Sequence, residues 1–431
     1  MKKKTKPENY LKLAILAALM AATLALYPFR FGATPKPQQI PEAAPTEPSE
    51  VTQALDEDDL EFGDVSSSQP VPQLLSEYGL FKDLARQVPG DNMYPYMLNA
   101  EHFADHARVQ RFFYLPEGQT ATYTGDGALY FPAGSILVQT FSYPADMRAP
   151  AETERLVETR ILRRLGDAWD GLSYIWNKES TDARKAIAGG LVPVSWLDDS
   201  GLPQSFKYVV PNRNDCKRCH ETAGAMQAIG ITAANLNVNR HHASGQESQL
   251  AQWIEQQLLA GAPPDLQAIP RLSRPFDLTN GPVEARARAW LEINCAHCHN
   301  PKGAAGVTGL DLRYSQENPV LFGVFKLPIA AGRGSEGHRY SIEPGNPATS
   351  FLISRVNSAD LAVMMPPVGR RQVDNKAVAL LNEWIGQMEF TPDQAERLKA
   401  KQRELYETMQ REGRWLGDGA DGETAVPTAD H

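Results

Sequence analysis

The sequence predicts a multidomain α+β chain, in which a β-rich N-terminal domain, a sandwich or small barrel, precedes a mostly helical one. Three observations carry this expectation. Runs rich in β-branched and aromatic residues gather between Arg111 and Trp196. Apolar residues at helical spacing gather between residues 276 and 390. A proline-rich, acidic stretch separates both from an apolar N-terminus.

The strands come first. Ser135–Tyr143 (SILVQTFSY) follows the punctuation of Pro132 and Gly134. Leu156–Leu162 alternates apolar and polar residues, and Gly171–Trp176 is an aromatic run opened by a glycine. Val192–Trp196 and Lys207–Val210 are shorter strands, and Gly125-Asp126-Gly127 suits a hairpin turn. These assign residues 73–205 to the β-rich domain.

The helices follow. Leu250, Trp253, Ile254 and Leu258 share a helical face within residues 246–260. Gly281-Pro282 opens another helix, because proline suits the first helical turn. Ala287, Trp290, Leu291 and Asn294 lead that helix into Cys295. Asp374 is a good N-cap for a helix whose apolar face is Ala377, Leu380, Leu381, Trp384 and Ile385. Thr391 and Gln394 form a capping-box-like start to a charged helical tail, residues 391–431, with a thin apolar stripe.

Composition narrows the class. The chain has 431 residues, enough for two or three domains, and 42% are hydrophobic. Its formal net charge is −9 and no basic stripe interleaves with aromatics, which argues against a nucleic-acid partner. Lys2, Lys3, Lys4 and Lys6 precede an apolar run from Leu13 to Tyr27. Residues 1–33 therefore read as a signal peptide or a membrane anchor. Cleavage after Ala25 would leave a soluble periplasmic protein. Retention would hold the chain in the inner membrane through residues ~11–31, with the lysines inside. Residues 34–72 form a linker stiffened by proline and extended by the acidic run from Asp56 to Asp64, with a reach of roughly 35 Å or more.

The four cysteines define the chemistry. Cys216 and Cys219 are followed at once by His220, and Cys295 and Cys298 by His299. This is the attachment pattern of haem c, in which two thiols bond the vinyl groups and the histidine binds iron. The short spacing lets one turn of backbone reach both thioethers and the metal. Four-cysteine zinc is the competing reading. Zinc pairs usually lie ~15–20 residues apart, whereas Cys219 and Cys295 are far more distant, and zinc does not require the two histidines. Two covalently bound haem c groups also suit export, since their attachment takes place outside the cytoplasm. Residues 206–275 become the first haem segment. Residues 276–390 become a second haem domain of the class I-like cytochrome c kind, one helix entering the motif and a last helix packing across it. His297, inside the second motif, reads as an exposed filler.

Each iron needs a ligand on its far side. For the second haem, Met365 is presented by Pro366-Pro367, with Met364 and His338 as alternatives. The motif histidine needs an acceptor for its other ring nitrogen, and the loop Asn300–Gly306 is a plausible source. The first haem has no clear partner. Met226 is close behind His220, His241 and His242 suit a polar turn, and His102 and His106 would share one face of a helix over Glu101–Val109.

Several segments resemble a bacterial family of exported dihaem c-type cytochromes. They include Tyr208-Val209-Val210-Pro211-Asn212, the two haem motifs, Asn235-Leu236-Asn237, Phe131-Pro132-Ala133-Gly134, Glu158-Thr159-Arg160 and Met365-Pro366-Pro367. The resemblance spans roughly residues 73–390. Members are often encoded beside a parallel β-helix protein, so it implies an exported partner of that kind besides a redox donor and acceptor. The function expected is periplasmic electron transfer. The alternative is a haem enzyme, peroxidase-like or acting on another small molecule, whose open first haem is fed by the second. A docking module is a third reading.

Replacing Cys295 and Cys298 by alanine is expected to leave one covalent haem, and replacing all four cysteines to leave none. The mass of the denatured chain reads this directly, and a matured wild type at bare polypeptide mass would refute the attachment.

Overall fold

Six antiparallel strands build the large sheet: β1 (Met93–Pro95), β2 (Arg108–Tyr114), β3 (Ile136–Pro144), β4 (Glu154–Leu165), β5 (Ala168–Trp176) and β6 (Ala183–Lys185). They pair in the order of the chain, each with the next, as an open meander. The computed structural model describes residues 71–411, apart from 126, 151–152, 223, 243–244 and 330. The N-terminal segment, nearly all of the linker, the end of the tail and the turn at Asp126 lie outside the described residues.

Register explains why both faces of this sheet are apolar. Phe112, Val138, Ile161 and Leu172 stand opposite one another across β2 to β5. One residue along, on the other face, stand Phe113, Leu137, Leu162 and Gly171. The first row packs with Leu75, Tyr174 and Trp176. The second faces Phe131, Trp169, Ile231, Leu250 and Trp253. Polar residues inside the sheet are paired: the Thr140 and Thr159 hydroxyls lie 2.8 Å apart, and Trp176 Nε1 donates to Thr159 at 2.9 Å. A hairpin of β7 (Gly190–Leu197) and β8 (Pro203–Val210) is separate from this sheet. Its Val192, Val194, Trp196 and Tyr208 pack with Tyr143 of β3 and Val157 of β4.

Seven α-helices occur among the described residues: α1 (Arg213–His220), α2 (Ala233–Leu236), α3 (Gln249–Glu255), α4 (Val283–Leu291), α5 (Phe351–Val356), α6 (Asn375–Gly386) and α7 (Pro392–Arg411). None is long and apolar enough to cross a membrane.

The expected fold class does not hold. The β-rich part is an open meander with a hairpin, not a sandwich or small barrel. No mostly helical cytochrome c domain is evident, because most of residues 276–390 is loop. Glycines and prolines break the chain between the helices; Gly303, Gly306, Gly309, Gly323, Pro319 and Pro328 permit only short turns there. What remains is α4 packed on α6, with Trp290, Leu291, Leu380, Leu381 and Trp384 in a shared core that also takes Leu312, Phe322 and Ile342 from the loops. The described residues form one compact unit.

Asp374 ties this core together. Its Oδ1 accepts from Ala377 N at 3.0 Å as the α6 cap, and its Oδ2 accepts from Trp290 Nε1 of α4 at 3.1 Å. Asp374→Ala should cost about 2–3 kcal/mol of unfolding free energy, the sum of a lost cap and a buried donor left unpaired. Urea midpoints check this, and Asp374→Asn, which retains a capping oxygen, should lose about half as much.

Candidate haem-binding sites

The first motif starts from a cap. Asn212 Oδ1 accepts from Asn214 N and Asp215 N, and Asp215 accepts from Asn212 N, so α1 begins at the end of β8. The helix carries Cys216, Cys219 and His220 against the sheet at Gly171. A Cβ built on Gly171 would lie 3.4 Å from Cys216 Cβ and 3.2 Å from Met226 Cε. The glycine thus leaves the space that α1 occupies, a usual reason for glycine inside a strand.

A two-strand turn, Glu221–Thr222 with Ala225–Met226, then brings the chain back over His220. The Gln227 carbonyl lies 2.7 Å from His220 Nδ1. A proton on Nδ1 donated there leaves Nε2 free for a metal. The second motif ends α4, whose helix widens into a π-turn over Glu292–Ala296 that contains Cys295. His299 Nδ1 is 3.3 Å from Thr308 Oγ1, and that hydroxyl donates to Ala305 O at 2.7 Å. Thr308 therefore accepts from His299. The acceptor is a side-chain hydroxyl just beyond the loop expected to supply it.

Two cavities adjoin the motifs. The first is lined by Cys216, Cys219 and His220, by Leu137, Arg160 and Gly171 of the sheet, and by His102. The second is lined by Cys295, Cys298, His299, Lys326, Arg355 and Met365. Asn294, His297, Val356 and Pro366 border both. The motifs touch where Cys298 Sγ meets the Arg218 carbonyl at 3.7 Å. His297 is thus part of the wall between the cavities, not an exposed filler, and its Nδ1 is buried without a partner.

The other ligand candidates separate by position. Met365 lines the second cavity, while Met364 is buried away from it at 1% exposure. Arg370 holds the Met365 carbonyl through Nε at 3.0 Å and Nη2 at 2.8 Å. His338 lines neither cavity. Met226 packs its methyl beside Gly171. The side chains of His241 and His242 lie outside the described ones. The expected helix over Glu101–Val109 is absent: residues 101–107 are a loop, with Asp105 and His106 at φ of 53° and 67°. His106 stacks edge-on to Phe103, 5.1 Å between ring centres, whereas His102 reaches the first cavity.

Charge distinguishes the two sites. In the first, Arg160 is held by Glu158 at 2.9 Å through both nitrogens and lies over the Phe141 ring at 4.2 Å. In the second, Lys326 donates to Leu327 O and Arg355 to Val363 O, and neither faces a carboxylate among the described residues. Burial pushes Lys326 down to about 8 and lowers Arg355. Buried cations without anions suit a ligand that brings its own, as the two propionates of haem do. Burial also pushes the Cys219 and Cys295 thiols up to about 12, and His299 down to about 4 with Arg355 nearby. The imidazole is neutral and free to ligate.

The residues fit the group that the motifs imply. The first cavity offers His220 with His102 and His297, and the second His299 with His297 and Met365, so the equatorial ligands would come from the macrocycle. Among the described residues, no group of three or more His, Cys, Asp or Glu gathers to hold a bare metal ion. No protein-family model, curated protein or solved structure matches the chain.

The glycine in β5 gives the test of this geometry. Gly171→Leu should displace Cys216 and reduce bound haem to roughly one per chain, whereas Gly171→Ala should load normally. Haem content per protein, with the denatured mass, distinguishes them.

Proposed function

We propose that the protein is an exported dihaem c-type cytochrome that passes single electrons between a donor and an acceptor protein. The observation that carries this reading is the contact of the two attachment motifs, Cys298 Sγ to Arg218 O at 3.7 Å, with cavities that share a wall. Attachment sites this close bring the two groups within short range for electron exchange.

When bound, haem c supplies reversible one-electron iron chemistry. Cys216, Cys219, Cys295 and Cys298 would tether the two groups. His220 and His299 would hold the irons, oriented by Gln227 and Thr308. Met365 would bind the second iron from the far side, its loop fixed by Arg370, and Lys326 and Arg355 would offset the propionates. The walls are apolar in part, through Leu137 and Leu162 in one cavity and Leu310, Leu312 and Phe351 in the other, and would pack against the faces of a bound macrocycle. The N-terminal segment would direct export, and the resemblance to exported dihaem cytochromes adds a parallel β-helix protein as a possible partner.

The second reading, a haem enzyme with an open first site, draws on the first cavity, which is the larger and has Gln139, Arg160 and Asn294 in its lining. Spectroelectrochemistry tests the proposal. The matured protein should show two one-electron waves. Met365→Ala should lower the upper one and abolish the far-red sulfur-to-iron band. An unchanged band in this variant would remove Met365 from the site, and rapid turnover of peroxide by the wild type would favour the enzyme.

A further inference from the structure

The first site lacks the methionine loop that serves the second, but a histidine stands in its cavity. We propose that His102 is the second axial ligand of the first haem, which makes that site bis-histidine and closed to small molecules; this rests on the two-haem reading above.

The segment that carries His102 is fixed from three directions. Ala100 exchanges two hydrogen bonds with the side chain of Asn235, N to Oδ1 at 2.8 Å and Nδ2 to O at 3.0 Å. Asn235 is fully buried in α2, just beyond the first motif. Phe103 N donates to Asn294 Oδ1 at 2.8 Å, and Asn294 directly precedes Cys295. The Asp105 carboxylate accepts from Arg371 N at 2.7 Å and Gln372 N at 2.8 Å, in the loop that follows Met365. Tyr143 Oη of β3 donates to the Asp105 carbonyl at 2.7 Å. With anchors at 100, 103 and 105, residue 102 has little freedom. A ligand positioned in this way costs little ordering entropy when it binds.

The ring of His102 stands edge-on to Phe141, with 6.0 Å between ring centres and 68° between planes. It lines the cavity that holds Cys216, Cys219 and His220. Its ring can offer a nitrogen lone pair to an iron in that cavity. His297 borders the same cavity but lies in the helical turn between the second pair of attachment cysteines, two residues before His299. His102 is the residue placed to reach across.

Methionine ligation raises haem potential relative to a second histidine, so His102 and Met365 would set the potential of the first site below that of the second.

The experiment uses the full matured chain and compares wild type, His102→Ala, His297→Ala and His106→Ala. The denatured mass reports covalent haem and so tests the two-haem reading by itself. In wild type, ferric spectra should show both haems low-spin, with no carbon monoxide bound on reduction. His102→Ala should retain both haems but turn about half of the ferric haem high-spin and bind carbon monoxide at one site. Added imidazole should restore the low-spin signal, which a merely misfolded variant would not do. His106→Ala and His297→Ala should match wild type. A wild type already half high-spin, or a loss of the low-spin signal in His297→Ala and not in His102→Ala, would overturn the assignment while leaving the haem count intact.

Discussion

Three backbone hydrogen bonds to one buried carboxylate hold the two sites in register. Asp105 takes 2.7 and 2.9 Å bonds from Arg371 N and a 2.8 Å bond from Gln372 N, although 266 and 267 residues separate the partners. Burial still pushes this carboxyl upward against the pull of those donors. The next residue back, Arg370, spends its guanidinium on the carbonyls of Met365, Arg355, Ser358 and Gln372. A single stretch, Arg370–Gln372, thereby fixes the Met365 loop on one side and the His102 loop on the other. Removing either grip would loosen a far-side ligand candidate without touching a cysteine.

The two cavities balance charge in different ways. Around the first, Arg160 is matched by Glu158, and Glu158 in turn by the Tyr208 hydroxyl at 2.6 Å, while Arg370 meets carbonyl oxygens. Around the second, Lys326 is 4% exposed and faces only carbonyl oxygen. Without an anion, that arrangement carries a desolvation cost that folding alone does not recover. A dianionic ligand would offset it. Completing the second site and stabilising the α4–α6 core would then be linked, as they are in proteins whose cofactor is part of the core.

The sequence was most legible where chemistry must be local. Both C-x-x-C-H motifs can be read without a fold, because their residues are neighbours in the chain. The long strands were legible too, since Ile136–Pro144 and Glu154–Leu165 are buried on both faces and rich in β-branched residues. The cytochrome-like domain was misread because the expected helices, α4 and α6, are joined by only the short α5 and a glycine- and proline-rich stretch that is mostly loop. His102 was misplaced for a related reason. Its spacing to His106 matches one helical face, yet Asp105 and His106 adopt the left-handed region, which Asp and His tolerate better than most residues. The acceptors Gln227 O and Thr308 Oγ1 leave no mark in sequence, because one is backbone and the other depends on a turn. Gly171 did leave one: a glycine inside an aromatic strand signals that something approaches closely.

The meander explains how the first site can exist without a helical domain of its own. A segment as short as residues 206–275 cannot wrap both faces of a planar group and still bury its own apolar residues. Here β3, β4 and β5 provide one wall through Leu137, Leu162 and Gly171, and the second motif's helix provides another through Trp290, Ile293 and Asn294. The loop bearing His102 spans from the sheet to that helix through Phe103 and Asn294. The first site is therefore complete only when three stretches far apart in sequence have folded together. The motif residues are contiguous in sequence, whereas everything else that lines this cavity is brought there by the tertiary fold.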